Sequence, residues 1–147
     1  MLSRKNFVAA ASCALCSFPG LASTVAAQSP APTSGITRKI LSRLDGPSAG
    51  YETILVEADI DAGAVVGRHT HPGVESAFLL EGGFELLIDG QPTRMLKPGD
   101  GYQIPAGIAH AGGKAHSEKS RILITYVVEK GKPLATPVGS RSRGIFS

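Results

Sequence analysis

From Ile36 onward, hydrophobic and polar residues alternate in short runs that are separated by Gly, Pro and Asp. No run keeps the periodicity of an amphipathic helix over several turns, whereas alternation of period two is typical of strands with one buried face. The pattern predicts an all-β fold with strands near 37–44, 51–60, 65–71, 75–80, 84–88, 91–96, 101–104, 110–112 and 121–128. Many short strands at this spacing close best into a sandwich or barrel.

Turn residues stand between the predicted strands. Asp89-Gly90 is the dipeptide that a two-residue hairpin turn prefers, and it separates strands 84–88 and 91–96. Two further turns are predicted at 97–100 and 105–107. We expect four glycines to serve these and similar turns and four apolar residues to pack the interior. These are Gly63, Gly82, Gly99 and Gly107, and Phe78, Leu79, Phe84 and Leu86.

Residues 1–27 have the pattern of a secretory signal. Arg4 and Lys5 precede an uncharged run rich in Ala, Leu, Val and Cys, which ends on small residues at Ala27. A proline and a glycine interrupt the run, so we expect cleavage after Ala27 and no stable membrane anchor. Residues 3–8 resemble the twin-arginine export signal, and an ordinary Sec signal fits them equally well. The mature protein is therefore expected to be periplasmic or secreted.

The remaining chain is predicted to hold one domain. Residues 28–35 are rich in Pro, Ser and Ala and have the composition of a flexible linker, whereas 138–147 form a polar C-terminal tail. The fold itself is assigned to 36–137. The strand near 37–44 lies at its start and is expected at a sheet edge, where it could pair with a second copy in a homodimer.

Composition excludes two classes of protein. Both cysteines lie in the predicted signal, so the mature chain is expected to have no disulfide framework. Two of the fifteen Lys and Arg also lie there, which leaves thirteen against twelve Asp and Glu. Because this near balance comes with no basic stripe interleaved with aromatic residues, nucleic acid is not an expected partner.

Three of the four histidines and one glutamate form a pattern that is typical of a metal site. His69 and His71 are two apart in a predicted strand, so their imidazoles point to the same face. Pro72 and Gly73 then bend the chain, and Glu75 returns a carboxylate toward the same point. His110 follows the turn at 105–107, and closure of a barrel would bring it to that centre. Three imidazoles and one carboxylate suit one divalent ion of Mn, Fe, Co, Ni, Cu or Zn, and suit Ca or Mg poorly.

These residues stand in two spaced patterns that resemble the two motifs of the cupin superfamily. The patterns are Gly63-x5-His69-x-His71-x3-Glu75-x6-Gly82 and Gly99-x5-Pro105-x-Gly107-x2-His110. The resemblance covers 36–137 and is strongest to small single-domain cupins described as quercetin-dioxygenase-like. It implies a single cupin β-barrel, or jelly roll, in which His69, His71, Glu75 and His110 bind the metal.

Four further residues stand beside these ligands or outside the two motifs. Lys114 stands where the second motif usually ends on Asn, which changes the loop beside the site but removes no ligand. His116 lies outside both motifs and is interpreted as structural. Tyr102 and Gln103 are on the strand that leads into the second motif, and one of them is expected to face the cavity. Glu75 and Tyr102 are the candidate acid and base residues, and Glu75 has this role as an alternative to that of a tight ligand.

The leading functional hypothesis is a metal-dependent enzyme of dioxygenase type that acts on a small organic molecule. The specific reaction follows from the resemblance and not from a residue. A second hypothesis is a redox-neutral isomerase or lyase, in which Glu75, Tyr102 or a bound water moves a proton. A third is a non-catalytic module that captures a small ligand or a metal in the periplasm.

Overall fold

The computed structural model describes residues 34–112 and 118–139. The predicted signal, most of the linker and most of the C-terminal tail lie outside the described residues, as do Lys114 and His116. Export and its route therefore stay predictions.

The described residues form ten strands and no helix, which confirms the all-β prediction. The described residues therefore include no helix that is long and apolar enough to cross a membrane. The strands are β1 (Ile36–Asp45), β2 (Tyr51–Ile60), β3 (Val66–Thr70), β4 (Gly73–Glu81), β5 (Phe84–Ile88), β6 (Arg94–Leu96), β7 (Gly101–Ile104), β8 (His110–Gly112), β9 (Ser120–Glu129) and β10 (Thr136–Pro137).

The strands make two five-stranded antiparallel sheets, which together form the jelly roll that the resemblance implied. The first sheet has the order β1-β2-β9-β4-β7 and the second the order β10-β3-β8-β5-β6. Alternate residues of β2, β4 and β9 meet alternate residues of β5 and β6 in one buried cluster. Successive side chains of these strands point to opposite sides, so one side packs in the core and the other lies at the surface. As expected, β1 is an edge strand of the described first sheet, and its pairing with a second copy stays a prediction.

One strand prediction needs correction, and one short strand was not predicted. The strand predicted over 91–96 begins only at Arg94, because Pro92 cannot donate a hydrogen bond to a sheet ladder. A turn does form after β5, where Gln91 N donates to Ile88 O at 3.0 Å, but the hairpin loop is longer than the two residues predicted. β10 was not predicted. It has only two residues, one of them proline, so it has no hydrophobic period to detect.

Phe78 was predicted to pack in the interior, and the structure places it outside. Phe78 is 46% exposed, whereas Leu79 beside it on β4 is fully buried. Successive strand residues point to opposite faces, so only one of these two neighbours can reach the core. Phe84 and Leu86, the other aromatic and aliphatic residues of this prediction, are buried as expected.

Candidate metal centre

His69, His71, Glu75 and His110 come together inside the jelly roll. Each offers one ligand atom, and these atoms lie within 4.8 Å of one another. His69 on β3 and His110 at the start of β8 are direct partners in the strand register. His71 follows β3, and Glu75 is the third residue of β4. The structure thus gathers the four residues that the sequence pattern selected, and metal binding by them is compatible with the fold.

Each histidine is oriented by a backbone carbonyl. His69 Nδ1 lies 2.7 Å from Gly67 O, and His110 Nδ1 lies 3.1 Å from Ile108 O. His71 Nδ1 lies 2.5 Å from Leu134 O. A carbonyl only accepts, so Nδ1 must carry the hydrogen and donate it in all three rings. In a neutral imidazole this leaves Nε2 with a lone pair, which is the arrangement of a metal ligand held by a backbone partner.

The Nε2 atoms point at one another and at Glu75. His69 Nε2 lies 3.1 Å from His71 Nε2, and His71 Nε2 lies 2.7 Å from Glu75 Oε2. His110 Nε2 is 3.3 Å from Glu75 Oε2, but it is buried without a hydrogen-bond partner. Buried lone pairs at such distances repel one another unless a cation or a proton lies between them. The donor set therefore fits one transition-metal ion, as the nitrogen-rich ligands predict.

The pKa values of the cluster follow from burial and from the carboxylate. Burial lowers the pKa of His69 to about 4. For Glu75, burial acts to raise the pKa, but His110 and His71 beside the carboxylate lower it well below its usual range. For His110, burial acts to lower the pKa, and Glu75 outweighs it and raises the pKa. Near neutral pH, Glu75 is thus an anion and His69 is neutral, which are the forms that bind metals.

A narrow cavity, with a volume of about 40 Å³, runs from the cluster into the barrel. Tyr102 lines it, as expected for one of the pair Tyr102 and Gln103. It lies opposite Ala77 in the β4–β7 register, and its hydroxyl donates to Glu75 Oε1 at 2.9 Å. Gln103 points to the other face and donates to Ser76 Oγ at 3.0 Å. Burial, and then Glu75, raise the pKa of Tyr102 well above its ordinary value, so the phenol keeps its proton.

Two further residues of this cavity were missed in the sequence. Tyr126 lies opposite Glu75 in the β4–β9 register, and its ring centroid is 4.8 Å from that of His71. Burial and Glu75 raise the pKa of Tyr126, so it also stays protonated. Arg38 also lines the cavity, and it lies on β1, an edge strand of the first sheet. Both residues occupy inward positions of alternating strands, so strand parity is the signal that could have identified them.

A larger depression of about 660 Å³ lies on the outer face of the first sheet, between Phe78, Arg94 and Gln103. It is shallow and open, and the His and Glu cluster is not among its lining residues. Size alone would favour this depression as a binding site. The convergent ligands and the perturbed pKa values are in the narrow cavity, which is therefore the better candidate for chemistry.

Comparison with known proteins identifies a family and several relatives. Residues 56–137 match the family model described as "Cupin domain", a stretch that includes all four candidate ligands, Tyr102 and Tyr126. A segment of 66 residues is 38% identical to dimethylsulfoniopropionate lyase DddQ of Ruegeria pomeroyi. This segment covers 45% of the chain and 33% of the lyase, so the match spans about a third of the length of that relative.

Solved structures share the architecture. The crystal structure of the same lyase superimposes with a TM-score of 0.58 at 27% identity, covering 71% of this chain and 54% of the lyase. A cupin-like protein from Thermotoga maritima gives a TM-score of 0.57 at 26% identity, with 74% and 79% of the two chains covered. An oxalate oxidase in complex with glycolate gives 0.57 at 18% identity over 78% and 61%, which shows a shared fold alone.

Proposed function

The chain belongs to the cupin domain family, and on that premise we propose that it is a metal-dependent enzyme that moves a proton on a small organic molecule without net oxidation, as a lyase or isomerase does. The observation that supports this reaction class is the hydrogen bond from Tyr102 Oη to Glu75 Oε1, 2.9 Å long, inside the cavity beside the ligand cluster. Proton transfer requires an acid and a base within hydrogen-bond reach of each other and of the substrate, and this pair lines the cavity.

The chain's own residues would hold the metal through the three Nε2 atoms and Glu75 Oε2. When bound, a transition metal supplies a Lewis acid that polarises a carbonyl or carboxylate oxygen of the substrate. Glu75 uses its two oxygens differently in this arrangement. Oε2 faces His71 and His110, whereas Oε1 remains available to Tyr102.

Tyr102 is placed to relay a proton. Its hydroxyl donates to Glu75 Oε1 and both residues line the cavity, so the hydroxyl oxygen could accept a proton from a substrate atom while it passes its own proton to Oε1. The raised pKa of Tyr102 disfavours a free phenolate, and the relay avoids forming one. Tyr126 keeps its proton for the same physical reason and offers a second hydrogen-bond donor to the bound molecule.

The comparisons support a redox-neutral reaction without determining it. The curated relative DddQ is named a lyase, and its 38% identity lies over 45% of this chain. The dioxygenase-type oxidoreductase expected from the sequence is the second candidate. The observation that favours it is the donor set itself, because three imidazoles and one carboxylate suit iron or manganese and leave coordination positions for further ligands.

Oxygen dependence separates these candidates. Protein purified from its own host would be analysed for metal and then assayed against small carboxylic acids with a leaving group at the β carbon, dimethylsulfoniopropionate among them, in air and without oxygen. We expect turnover at equal rates in both conditions, lost after treatment with a chelator and restored by the metal. Oxygen uptake in proportion to substrate consumed would establish the dioxygenase instead. Tight binding with no turnover of any compound would indicate a binding module.

A further inference from the structure

Arg38 is an arginine on the core-facing side of its strand. In the β1–β2 register it lies opposite Ala58, which is only 2% exposed, and Ile36 lies opposite the buried Ile60. Residues directly opposite in an antiparallel pair point to the same face of the sheet. The half-buried side chain of Arg38 therefore leaves the strand on the face that elsewhere packs the interior, where an unpaired charge is unfavourable.

The other arginines that the structure describes all have a protein partner. Arg43 pairs with Glu52, Arg68 with Asp89, and Arg121 with Asp59 and Glu81. Arg94 donates a hydrogen bond to the carbonyl of Gly101. Within the described residues, Arg38 is the one arginine whose side chain makes no hydrogen bond or ion pair, although the carboxylate of Glu75 lines the same cavity.

The cavity around Arg38 is the one that contains the ligand cluster. Arg38, His69, Glu75, Tyr102 and His110 all line it. The positive charge of Arg38 also reaches the hydroxyl of Tyr126, whose pKa it lowers against the larger raising effects of burial and Glu75. With a divalent ion at the cluster, the two fixed cations outweigh the single carboxylate of Glu75. An anion is the ligand that balances such a cavity.

We propose that Arg38 binds the carboxylate of a small organic acid whose other end lies at the ligand cluster. A guanidinium binds a carboxylate through two parallel hydrogen bonds, which fixes orientation as well as charge. With a volume of about 40 Å³, the cavity restricts the ligand to a small one. The residue precedes the stretch 56–137 that matches the family, so the acid-binding group is a feature of the N-terminal strand of this chain. The identity of the rest of the substrate rests on the proposed function, whereas the contact between Arg38 and a carboxylate does not.

Binding of propionate to the Co²⁺-loaded full chain, measured by isothermal titration calorimetry, tests the contact. Arg38→Met should weaken propionate binding by about 10- to 100-fold, the range for loss of hydrogen bonds to a charged group. Arg38→Lys keeps the charge but not the pair of parallel donors. Its affinity for propionate should therefore lie between those of the parent protein and Arg38→Met. Arg94→Met removes an arginine that lies on the outer depression and serves as the matched control. Propionamide, which has no charge, should bind weakly to all four proteins.

The outcomes separate the two proposals. Equal propionate affinities in the parent protein and in Arg38→Met, with equal cobalt content, would overturn the role of Arg38. If Arg38→Met does not fold, Arg38→Gln and Arg38→Lys decide in the same way, because each keeps a polar group at that position. Failure of every acid to react would count against the proposed enzyme, whereas the propionate affinities would still decide whether Arg38 binds carboxylates.

Discussion

His69 and His110 are direct partners across the β3–β8 pairing, and their ring centroids lie 4.3 Å apart. The register of this one strand pair joins the two sequence motifs, which are otherwise far apart along the chain. A shift between Val66 and His69 interrupts the ladder just before the site, and such bulges re-aim side chains next to active sites. The candidate metal centre is thus a consequence of strand pairing and not of one local loop.

Replacement of His110 by alanine should abolish tight metal binding while the protein still folds. The apolar core cluster does not include His110, so the jelly roll does not depend on the imidazole. Loss of a supporting residue already costs about 10- to 100-fold in metal affinity, and loss of a ligand should cost more. Metal analysis after gel filtration, with circular dichroism of the same sample, measures both effects. His116→Ala is the matched control, and full metal content in His110→Ala would refute the site.

Metal binding should release protons, and the number released per metal ion should be larger at low pH. Glu75 raises the pKa of His110, so below that raised value the metal-free protein carries an imidazolium that must lose its proton to bind a metal. His69, with a pKa of about 4, is already neutral and contributes little. Calorimetry in two buffers of different ionisation enthalpy should find close to one proton released at about pH 6 and fewer at about pH 8, with weaker affinity at the lower pH. A number of released protons that increases with pH would contradict this prediction.

Tyr102→Phe should reduce turnover by about 10²–10⁴-fold and leave the metal content unchanged, because it removes only the hydroxyl that bonds Glu75 Oε1. Tyr126→Phe is the matched comparison. It removes a phenol from the same cavity that is not hydrogen-bonded to Glu75, so we expect a smaller loss, mainly in KM. Equal losses in kcat for both variants would argue against a relay through Tyr102. The two rates and the metal content are measured on the same preparations.

The sequence predicts most of the strands and the ligand cluster because both depend on local periodicity and on spacing. Residues two apart on a strand share a face wherever the strand lies, which is why His69 and His71 could be assigned together. Strand parity places Arg38 and Tyr126 on inward faces, but it does not bring them to the ligand cluster. Their meeting depends on the order β1-β2-β9-β4, which no single segment specifies. β10 has the same difficulty, since Thr136 and Pro137 become a strand only by pairing with β3.

Gly73→Ala should destabilise the fold strongly. A Cβ at Gly73 would lie 2.6 Å from Val128 Cα and closer still to the carbonyl of Val127, so β4 and β9 would have to move apart beside the ligand cluster. We expect a loss of about 2–3 kcal/mol in the free energy of unfolding, in the upper part of the range for overpacking. Denaturant titration measures it. Gly67→Ala, where a Cβ meets no atom within 4 Å, is the control and should change stability little.

Glu75→Gln separates the two roles that we propose for this residue. Oε2 lies against His71 and His110, whereas Oε1 accepts from Tyr102, so the two oxygens of one carboxylate face the candidate ligands and the candidate relay separately. Glutamine keeps the shape and removes the charge. If Glu75 is a ligand, metal affinity should fall and turnover should nearly vanish, because an anionic donor has become a neutral amide.

If Glu75 acts only through Oε1 as the proton acceptor, the same variant should keep its metal and lose about 10²–10⁴-fold in turnover. The pH dependence of metal binding distinguishes these cases further. Without the carboxylate, His110 loses the strongest of the interactions that raise its pKa, so burial should lower that pKa. Proton release on metal binding at about pH 6 should then decrease. Normal metal content, normal turnover and unchanged proton release together would exclude Glu75 from both roles and leave a three-histidine site.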